Sequence, residues 1–163
     1  MPVQYGQGDI FRVGVDDNYD FIIVFGHVGL NEMAVAWNAF RQRFRVRFGP
    51  IDDPFRVVRG PVEFKPGRWI QFFGEEQNHG ISDSLLRRTL ESALAWASEK
   101  KLQTVITNGI ANTDHGTNTA LNRASDDRRA IFIESIVRDR QHEFASIMLI
   151  SLNDAFVRNF QAS

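Results

Sequence analysis

The chain contains no cysteine, which excludes disulfide bonds, thiolate metal sites and cysteine nucleophiles and fits a reducing compartment. No apolar run approaches the ~20 residues that a membrane-spanning helix needs, and the N-terminus lacks the basic stretch and apolar core of a signal peptide. The formal net charge of -1 removes the general attraction by which nonspecific nucleic-acid binders hold phosphate backbones. We therefore expect a cytoplasmic protein without a membrane segment.

Several recognisable catalytic motifs are missing as well. The sequence contains no Gly-x-Ser-x-Gly elbow, no Gly-x-x-x-x-Gly-Lys-Ser/Thr phosphate loop and no Gly-x-Gly-x-x-Gly fingerprint. Its histidines do not follow a metal-binding spacing such as His-Glu-x-x-His, so we expect neither a metal site nor a cofactor. The basic run 41–47 alternates with apolar residues, and we expect it to be a solvated helix end and strand edge rather than a nucleic-acid contact.

What is present fits an ordinary folded protein. The length of 163 residues suits one domain with a sizeable core, and we predict a single domain over residues 1–163. The 14 Phe residues against 2 Tyr predict a core rich in phenylalanine.

Apolar runs and helical periodicities alternate along the chain. The run Phe21–Phe25 predicts a strand buried on both faces that ends at Gly26. Further expected segments are a helix with Phe40 and Phe44 on its apolar side, two short β pieces (55–58 and 62–64), a strand (68–73), a helix (82–101), a strand (102–107), a helix that begins at Asp126 and a last strand (147–150). This alternation predicts an α/β sandwich.

The segment from Asn108 to Asn118 is polar and has neither helical nor strand periodicity, so we predict a loop. Ligands of open α/β sheets bind outside the carboxyl ends of the strands, which makes 26–30, 108–118 and 153–156 candidate loops. Glycine lets backbone amides approach a ligand closely, and such amides bind phosphate without a formal positive charge. In the alternative interpretation, Gly109 and Gly116 only turn the chain.

Four titratable residues occur in these loops, and three of them, Asp114, His115 and His27, are candidates for a role at a ligand. Asp114 and His115 form either an acid–base pair or a solvated surface pair, because adjacent side chains seldom hydrogen-bond to each other productively. His27 follows the first buried strand, where it either lines the same crevice or fixes the loop through backbone hydrogen bonds.

The order of these motifs resembles the macro domain, a family whose characteristic ligands are ADP-ribose and its derivatives. Gly8-Asp9-Ile10 matches the early Gly-Asp-Ile of the family, and Asp20 followed by Ile22-Ile23-Val24 is similar to its Asp-x-Ile-Val strand. The resemblance implies a three-layer α/β/α sandwich with a mixed central sheet. It also implies that Asp9 contacts the adenine and that Phe156 stacks beside it.

Two segments depart from the family pattern. Phe25-Gly26-His27 stands where many members have an Asn-Ala-Ala-Asn-like sequence, and the segment 108–114 lacks the closely spaced glycines of the phosphate loop. The resemblance implies a ligand site formed by Asp9, Ile10, Gly26, His27, Asn108, Gly109, Asn112, Thr113, Gly116 and Phe156. For an active enzyme it implies hydrolysis of an ADP-ribosyl linkage, with Asp114 and His115 as candidate catalytic residues.

The resemblance thus implies a protein that binds ADP-ribose or a related nucleotide, with an ADP-ribosylated protein as a further candidate partner. A different hypothesis is a protein-interaction or structural module that keeps the macro-like scaffold and no longer binds nucleotide. A third is an unrelated α/β hydrolytic enzyme whose catalytic residues only the folded chain brings together.

Overall fold

A computed structural model of the chain describes residues 3–27, 39–40, 42–45, 57–75, 83–108 and 132–151. The described part contains six strands: β1 (Val3–Gln7), β2 (Phe21–His27), β3 (Val57–Lys65), β4 (Arg68–Glu75), β5 (Thr104–Thr107) and β6 (Ser146–Ser151). Its helices are α1 (Ile10–Asp16), α2 (Asp83–Glu99) and α3, which covers residues 132–140, and residues 39–40 and 42–44 are also helical. None of these helices combines the length and the apolar character that crossing a membrane requires.

The six strands form one sheet in the order β1-β6-β5-β2-β4-β3. All neighbouring strands are parallel except β3 and β4, which are antiparallel. The predicted mixed central sheet is therefore confirmed. The two middle strands are β5 and β2, and residues Phe21 to Val24 of β2 are fully buried, as their continuous apolar run predicted.

Alternate side chains of β2 enter two separate cores, one on each face of the sheet. Phe21 and Ile23 pack with side chains of α2 and α3, whereas Ile22 and Val24 pack with α1 and with Phe40. Because side chains alternate between the two faces along a strand, helices cover both faces. This arrangement is the expected three-layer α/β/α sandwich.

Both α2 and α3 turn an apolar stripe toward the sheet on the face that they cover. The stripe of α2 is buried at Leu90, Ala93, Leu94 and Ala97. The stripe of α3 is buried at Ile133, Ile136 and Val137. These two helices therefore attach to the sheet mainly through hydrophobic burial.

The opposite face carries a group of phenylalanine rings, as the composition predicted. Ring centroids lie 4.8 to 5.5 Å apart in the four contacting pairs formed among Phe11, Phe40, Phe44 and Phe64. The rings are tilted or edge-on to one another, which is the favoured geometry for aromatic pairs. The guanidinium carbon of Arg43 lies 4.9 Å from the centre of the Phe44 ring, so this cation covers part of the ring.

Helix α1 packs directly against the two central strands because residue 14 is glycine. A Cβ atom built on Gly14 would lie 2.8 Å from Ile22 Cδ1 and 2.9 Å from Ile22 Cγ1. It would also lie 3.4 Å from Ile106 Cγ2. Both isoleucines are fully buried, so the surrounding core gives them little room to move.

Asp20 connects the beginning of β2 to both of its neighbours. Its Oδ2 accepts hydrogen bonds from the backbone N of Gln103 at 2.9 Å and of Thr104 at 3.2 Å. In return, Thr104 Oγ1 accepts a hydrogen bond from the backbone N of Asp20 at 2.9 Å. The backbone N of Trp69, in β4, donates to the carbonyl oxygen of Asp20 at 2.8 Å. One residue thus sets the alignment of β5, β2 and β4 at their amino ends.

The edge strand β1 is linked to α3 by a polar cluster. The hydroxyl of Tyr5 donates to Glu134 Oε1 at 2.8 Å, and Arg138 Nε donates to the same oxygen at 2.6 Å. Burial, followed by the hydrogen bond to Glu134, raises the pKa of the Tyr5 phenol above its ordinary value of 10.0. The stabilisation from the neutral phenol is therefore fully present below pH 10 and is lost as the pH rises through the higher pKa of the folded state.

Two predicted strand ends were wrong. β2 does not stop at Gly26 but continues to His27, and β4 passes through Gly74, which was expected to begin a loop, to Glu75. Gly26 pairs with Gly74 and His27 pairs with Glu75. Each strand supplies the backbone partners that the other needs, and this pairing outweighs the usual tendency of glycine to end a strand.

The two short β pieces expected at 55–58 and 62–64 are, within the described residues, parts of the single strand β3. The register with β4 shifts between Arg59 and Val62. Pro61 lies within that shift, and it has no backbone N–H to give to a ladder. The Gly-Pro pair therefore marks an irregularity inside an edge strand, where proline is tolerated, rather than the end of a strand.

Replacing Asp20 by alanine is expected to lower the free energy of unfolding by about 2 kcal/mol, because two backbone N–H groups lose a charged acceptor. Urea denaturation measures this change. Asp139→Ala removes an exposed carboxylate from α3 and is expected to change stability by less than about 0.5 kcal/mol. Equal unfolding midpoints for Asp20→Ala and the wild type would contradict the proposed link.

Replacing Gly14 by alanine is expected to destabilise the fold by roughly 1–3 kcal/mol, because the new methyl group overlaps Ile22. The overlap outweighs the gain in helix propensity of up to about 1 kcal/mol. Combining Gly14→Ala with Ile22→Ala provides the control, since the second change removes both atoms in close contact. The double variant should be less destabilised than the sum of the single variants, and strict additivity would argue against the contact.

Candidate functional site

The parallel strands bring three of the predicted ligand-binding segments to one edge of the sheet. β1, β2, β5 and β6 all end at this edge because they run in the same direction. Asp9 and Ile10 follow the end of β1, His27 is the last residue of β2, and Asn108 follows the end of β5. Their common edge agrees with the expectation from the sequence, whereas their contacts with a ligand stay a prediction.

The chain leaves β2 and β5 in opposite directions along the sheet. After β2 it proceeds to β3 and β4 on one side, whereas after β5 it proceeds to β6 on the other. The helical residue Phe40, which follows β2, packs on the α1 face, and α3, which follows β5, packs on the opposite face. Open α/β sheets usually bind their ligands outside the carboxyl ends of the strands at such a switch point.

The two strands at this switch point end at different heights. Thr107, the last residue of β5, is level with Ile23, and β2 continues four residues further to His27. At the usual rise per residue, β2 extends roughly 13 Å beyond the end of β5. On the other side, Thr107 is level with Leu149, and β6 continues to Ser151. The end of β5 is therefore the base of a notch between two longer strands.

Asn108 is located at the base of this notch. It is a polar residue that follows the apolar strand β5, and only 5% of its surface is exposed. The preceding residue, Thr107, is completely buried. Two consecutive polar residues, Thr107 and Asn108, are therefore buried at the carboxyl end of β5.

Asp9 performs a structural task at the same edge. It is the N-cap of α1, and its Oδ1 accepts a hydrogen bond from the backbone N of Phe11 at 2.9 Å. Gly8 precedes it with a φ of 154°, a conformation that residues with a side chain rarely adopt. A Cβ built on Gly8 would lie 3.6 Å from Ile150 Cδ1, so this turn packs against the end of β6.

Ile10 has a different environment from Asp9. Its side chain is only 5% exposed and belongs to the core on the α1 face. Asp9, in contrast, is exposed and presents a carboxylate at the sheet edge. A ligand at this edge can therefore contact the side chain of Asp9, whereas it can contact Ile10 only through backbone atoms.

The remaining predicted site residues lie outside the described part of the chain. They are Gly109, Asn112, Thr113, Asp114, His115, Gly116 and Phe156, and their roles stay predictions. Gly26 and His27 are described as backbone of β2, without their side chains. The described ranges also contain no group of three or more His, Cys, Asp or Glu side chains arranged to hold a metal ion.

No protein-family model matches the sequence, and no curated protein is similar to it in sequence. Solved structures, in contrast, share its fold. A macrodomain of Trypanosoma brucei superimposes with a TM-score of 0.58 at 12% identity, covering 99% of this chain and 66% of that one. The T. brucei macrodomain in complex with ADP-ribose gives a TM-score of 0.57 at 12% identity, covering 99% and 68%. The chain has the macrodomain fold.

A bacterial structure agrees with this assignment over a larger share of its own length. The Oceanobacillus iheyensis macrodomain, with MES bound, gives a TM-score of 0.51 at 14% identity and covers 96% of this chain and 86% of that one. The chain spans less than two thirds of the first T. brucei structure, so that protein has substantial additional length. At sequence identities of 11 to 14% the comparison establishes the fold alone. The function depends on the residues of the site.

Sequence analysis did not single out two buried polar residues of the central sheet, Gln71 and Thr107. Gln71 is only 7% exposed, although it lies within the otherwise apolar strand β4. The signal that marks both residues is a hydrogen-bonding side chain in a strand whose neighbouring residues are apolar. The sequence shows this pattern, but only the paired strands show that the two residues belong to one row.

Replacing Asp9 by alanine and by serine distinguishes the effect of its helix-capping oxygen from the effect of its charge. Asp9→Ala is expected to lower the free energy of unfolding by about 1 kcal/mol, because the N-cap acceptor is lost. Asp9→Ser restores a good capping residue and is expected to remain within a few tenths of a kcal/mol of the wild type. Thermal denaturation of both variants measures the difference, and equal losses for alanine and serine would contradict the capping role.

Proposed function

We propose that this chain, as one domain with the macrodomain fold, binds ADP-ribose or a closely related nucleotide in the crevice between β2 and β5. The observation that carries the proposal is the switch point itself. At this point a short central strand ends between two longer ones, and the chain departs to opposite faces of the sheet. Such crevices are the usual ligand sites of open α/β sheets.

The fold comparison supports the identity of the ligand. One structure with the same fold is described as a complex with ADP-ribose and another as a complex with ADP. The Asp9 carboxylate is exposed at the same edge of the sheet, where it can accept a hydrogen bond from the amino group of an adenine. Its existing bond to the backbone of Phe11 holds the carboxylate in a fixed direction.

Catalysis is a separate proposal. Asp114 and His115 are the titratable groups in the predicted loop, and hydrolysis of an ADP-ribosyl linkage needs a group that polarises water or the ribose. We therefore propose these two residues for any hydrolytic activity, with an ADP-ribosylated protein as the candidate substrate. Binding of the nucleotide does not depend on this activity.

Calorimetric titration of the folded protein with ADP-ribose tests the binding proposal. Saturable binding is expected for the wild type. Asp9→Ser is expected to weaken it about tenfold or more, because a charged acceptor is lost while the helix cap is kept. Asp16→Ser is the matched control, since it removes an exposed carboxylate from the other end of α1.

An absence of heat at millimolar ADP-ribose, with a folded sample, would refute the proposal and favour a protein-interaction module on the same scaffold. If Asp9→Ser and Asp16→Ser weakened ADP-ribose binding equally, the proposed ligand would stand, but the specific role of Asp9 would be refuted. The first outcome tests nucleotide binding, and the second tests only the contribution of Asp9 to that binding.

A further inference from the structure

Two tryptophan rings form a corner at the amino edge of the sheet, away from the candidate nucleotide site. Trp69 lies at the beginning of β4, and Trp96 lies in the last turn of α2. Their ring centroids are 5.1 Å apart and the ring planes meet at 71°. Trp96 also packs against Phe21, with centroids 5.2 Å apart. Both tryptophans are half-buried, so the corner is anchored to the core and part of it faces solvent.

A positive charge already occupies this corner. Lys100 Nζ lies 4.5 Å from the ring centroid of Trp69 and 5.4 Å from that of Trp96. Both distances fall within the range of a cation–π interaction. Lys100 is exposed, and among the described residues its ammonium group has no hydrogen-bond or ion-pair partner. The contact between cation and rings is therefore what holds the ammonium at this place.

A carboxylate stands beside the corner. Glu63 of β3 pairs with Trp69 across the antiparallel strands, and side chains paired in this way project from the same face about 5 Å apart. Val62 and Phe64, on either side of Glu63, pack on the opposite face, which agrees with this alternation. Glu63 Oε2 accepts a hydrogen bond from the backbone N of Gly67 at 3.2 Å. The corner thus combines two aromatic walls with a neighbouring negative charge, and both favour a cation.

The chemistry of the corner restricts the cation that can displace Lys100. The ammonium group of an unmodified lysine is compact and strongly hydrated, and Lys100 has the advantage of being held nearby by its own chain. A second unmodified lysine therefore has no advantage over it. A trimethylated lysine has the same stem and charge, but it has no N–H groups to desolvate and its methyl groups contact the rings directly. Aromatic corners of this kind recognise quaternary ammonium groups.

We propose that Trp69, Trp96 and Glu63 form a binding site for a trimethylated lysine side chain of a partner protein, and that Lys100 occupies the site in the free protein. Lys100 follows the end of α2 and is exposed, so its side chain can leave the rings without disturbing the core. The site lies at the amino ends of the strands and does not depend on the proposed nucleotide binding.

Titration of the folded protein with acetyl-trimethyllysine amide tests the proposal, with the indole N–H signals of Trp69 and Trp96 in NMR spectra as the readout. Saturable binding of about millimolar affinity is expected from two cation–π contacts. Acetyl-lysine amide is expected to bind at least about tenfold more weakly. The uncharged analogue with carbon in place of the quaternary nitrogen should lose a similar factor, because it keeps the shape and loses the charge.

Variants separate the occupant from the walls of the site. Lys100→Ala is expected to bind acetyl-trimethyllysine amide about threefold more tightly, because the competing cation is removed. Trp69→Leu should weaken binding about tenfold, and Glu63→Gln about threefold. Lys65→Ala is the matched control, since Lys65 Nζ lies 5.3 Å from the ring centroid of Phe44, which packs on the opposite face. This variant should leave the affinity unchanged.

Four results would overturn the proposal. Equal binding of the uncharged analogue would show that the corner recognises apolar surface rather than a cation. Weaker binding by Lys100→Ala would show that Lys100 is not a competing occupant. Tighter binding of choline than of acetyl-trimethyllysine amide would assign the site to a small quaternary ammonium compound instead of a protein side chain. An absence of saturable binding in both the wild type and Lys100→Ala, with folded samples, would refute the site.

Discussion

The architecture depends on the parallel pairing of β2 with β5 in the middle of the sheet. The side chain and backbone of Asp20 hold this pairing at one end, where they bond to Thr104 and to the neighbouring strand β4. At the other end β5 stops at Thr107 while β2 continues to His27, and the next strands along the chain lie on opposite sides of this pair. The hydrogen bonds of Asp20 therefore lie at the amino ends of β2 and β5. The candidate site lies at the carboxyl ends of the same two strands.

Long apolar patterns allowed the main elements to be predicted from the sequence. The buried run of β2 and the stripe of α2 were confirmed because burial on two faces and helical periodicity leave strong local signals. The extension of β2 and β4 through Gly26 and Gly74 was not predictable, since it arises from pairing between residues far apart in the sequence. Helix α1 has only seven residues, too few for a clear period, and one of its contact residues is Gly14.

The candidate site was predictable to a similar degree. The order of strands and polar loops predicted that Asp9, His27 and Asn108 would lie at one edge of the sheet, because parallel strands place the residues that follow them together. The burial of Gln71 and Thr107 could not be predicted in this way, since it is determined by neighbours in space rather than in sequence. The chain shares its fold with a macrodomain at only 12% identity, since a fold can persist while most individual residues change.

The irregularity of β3 has a consequence for the molecule in solution. β3 is the outermost strand on its side of the sheet, and a regular strand there would offer a row of free N–H and C=O groups to another chain. Pro61 removes one donor from that row, and the shift in register beside it interrupts the even spacing that a second strand would need. The same Gly-Pro pair that obscures the strand in the sequence is therefore the kind of irregularity by which edge strands avoid pairing with a second chain.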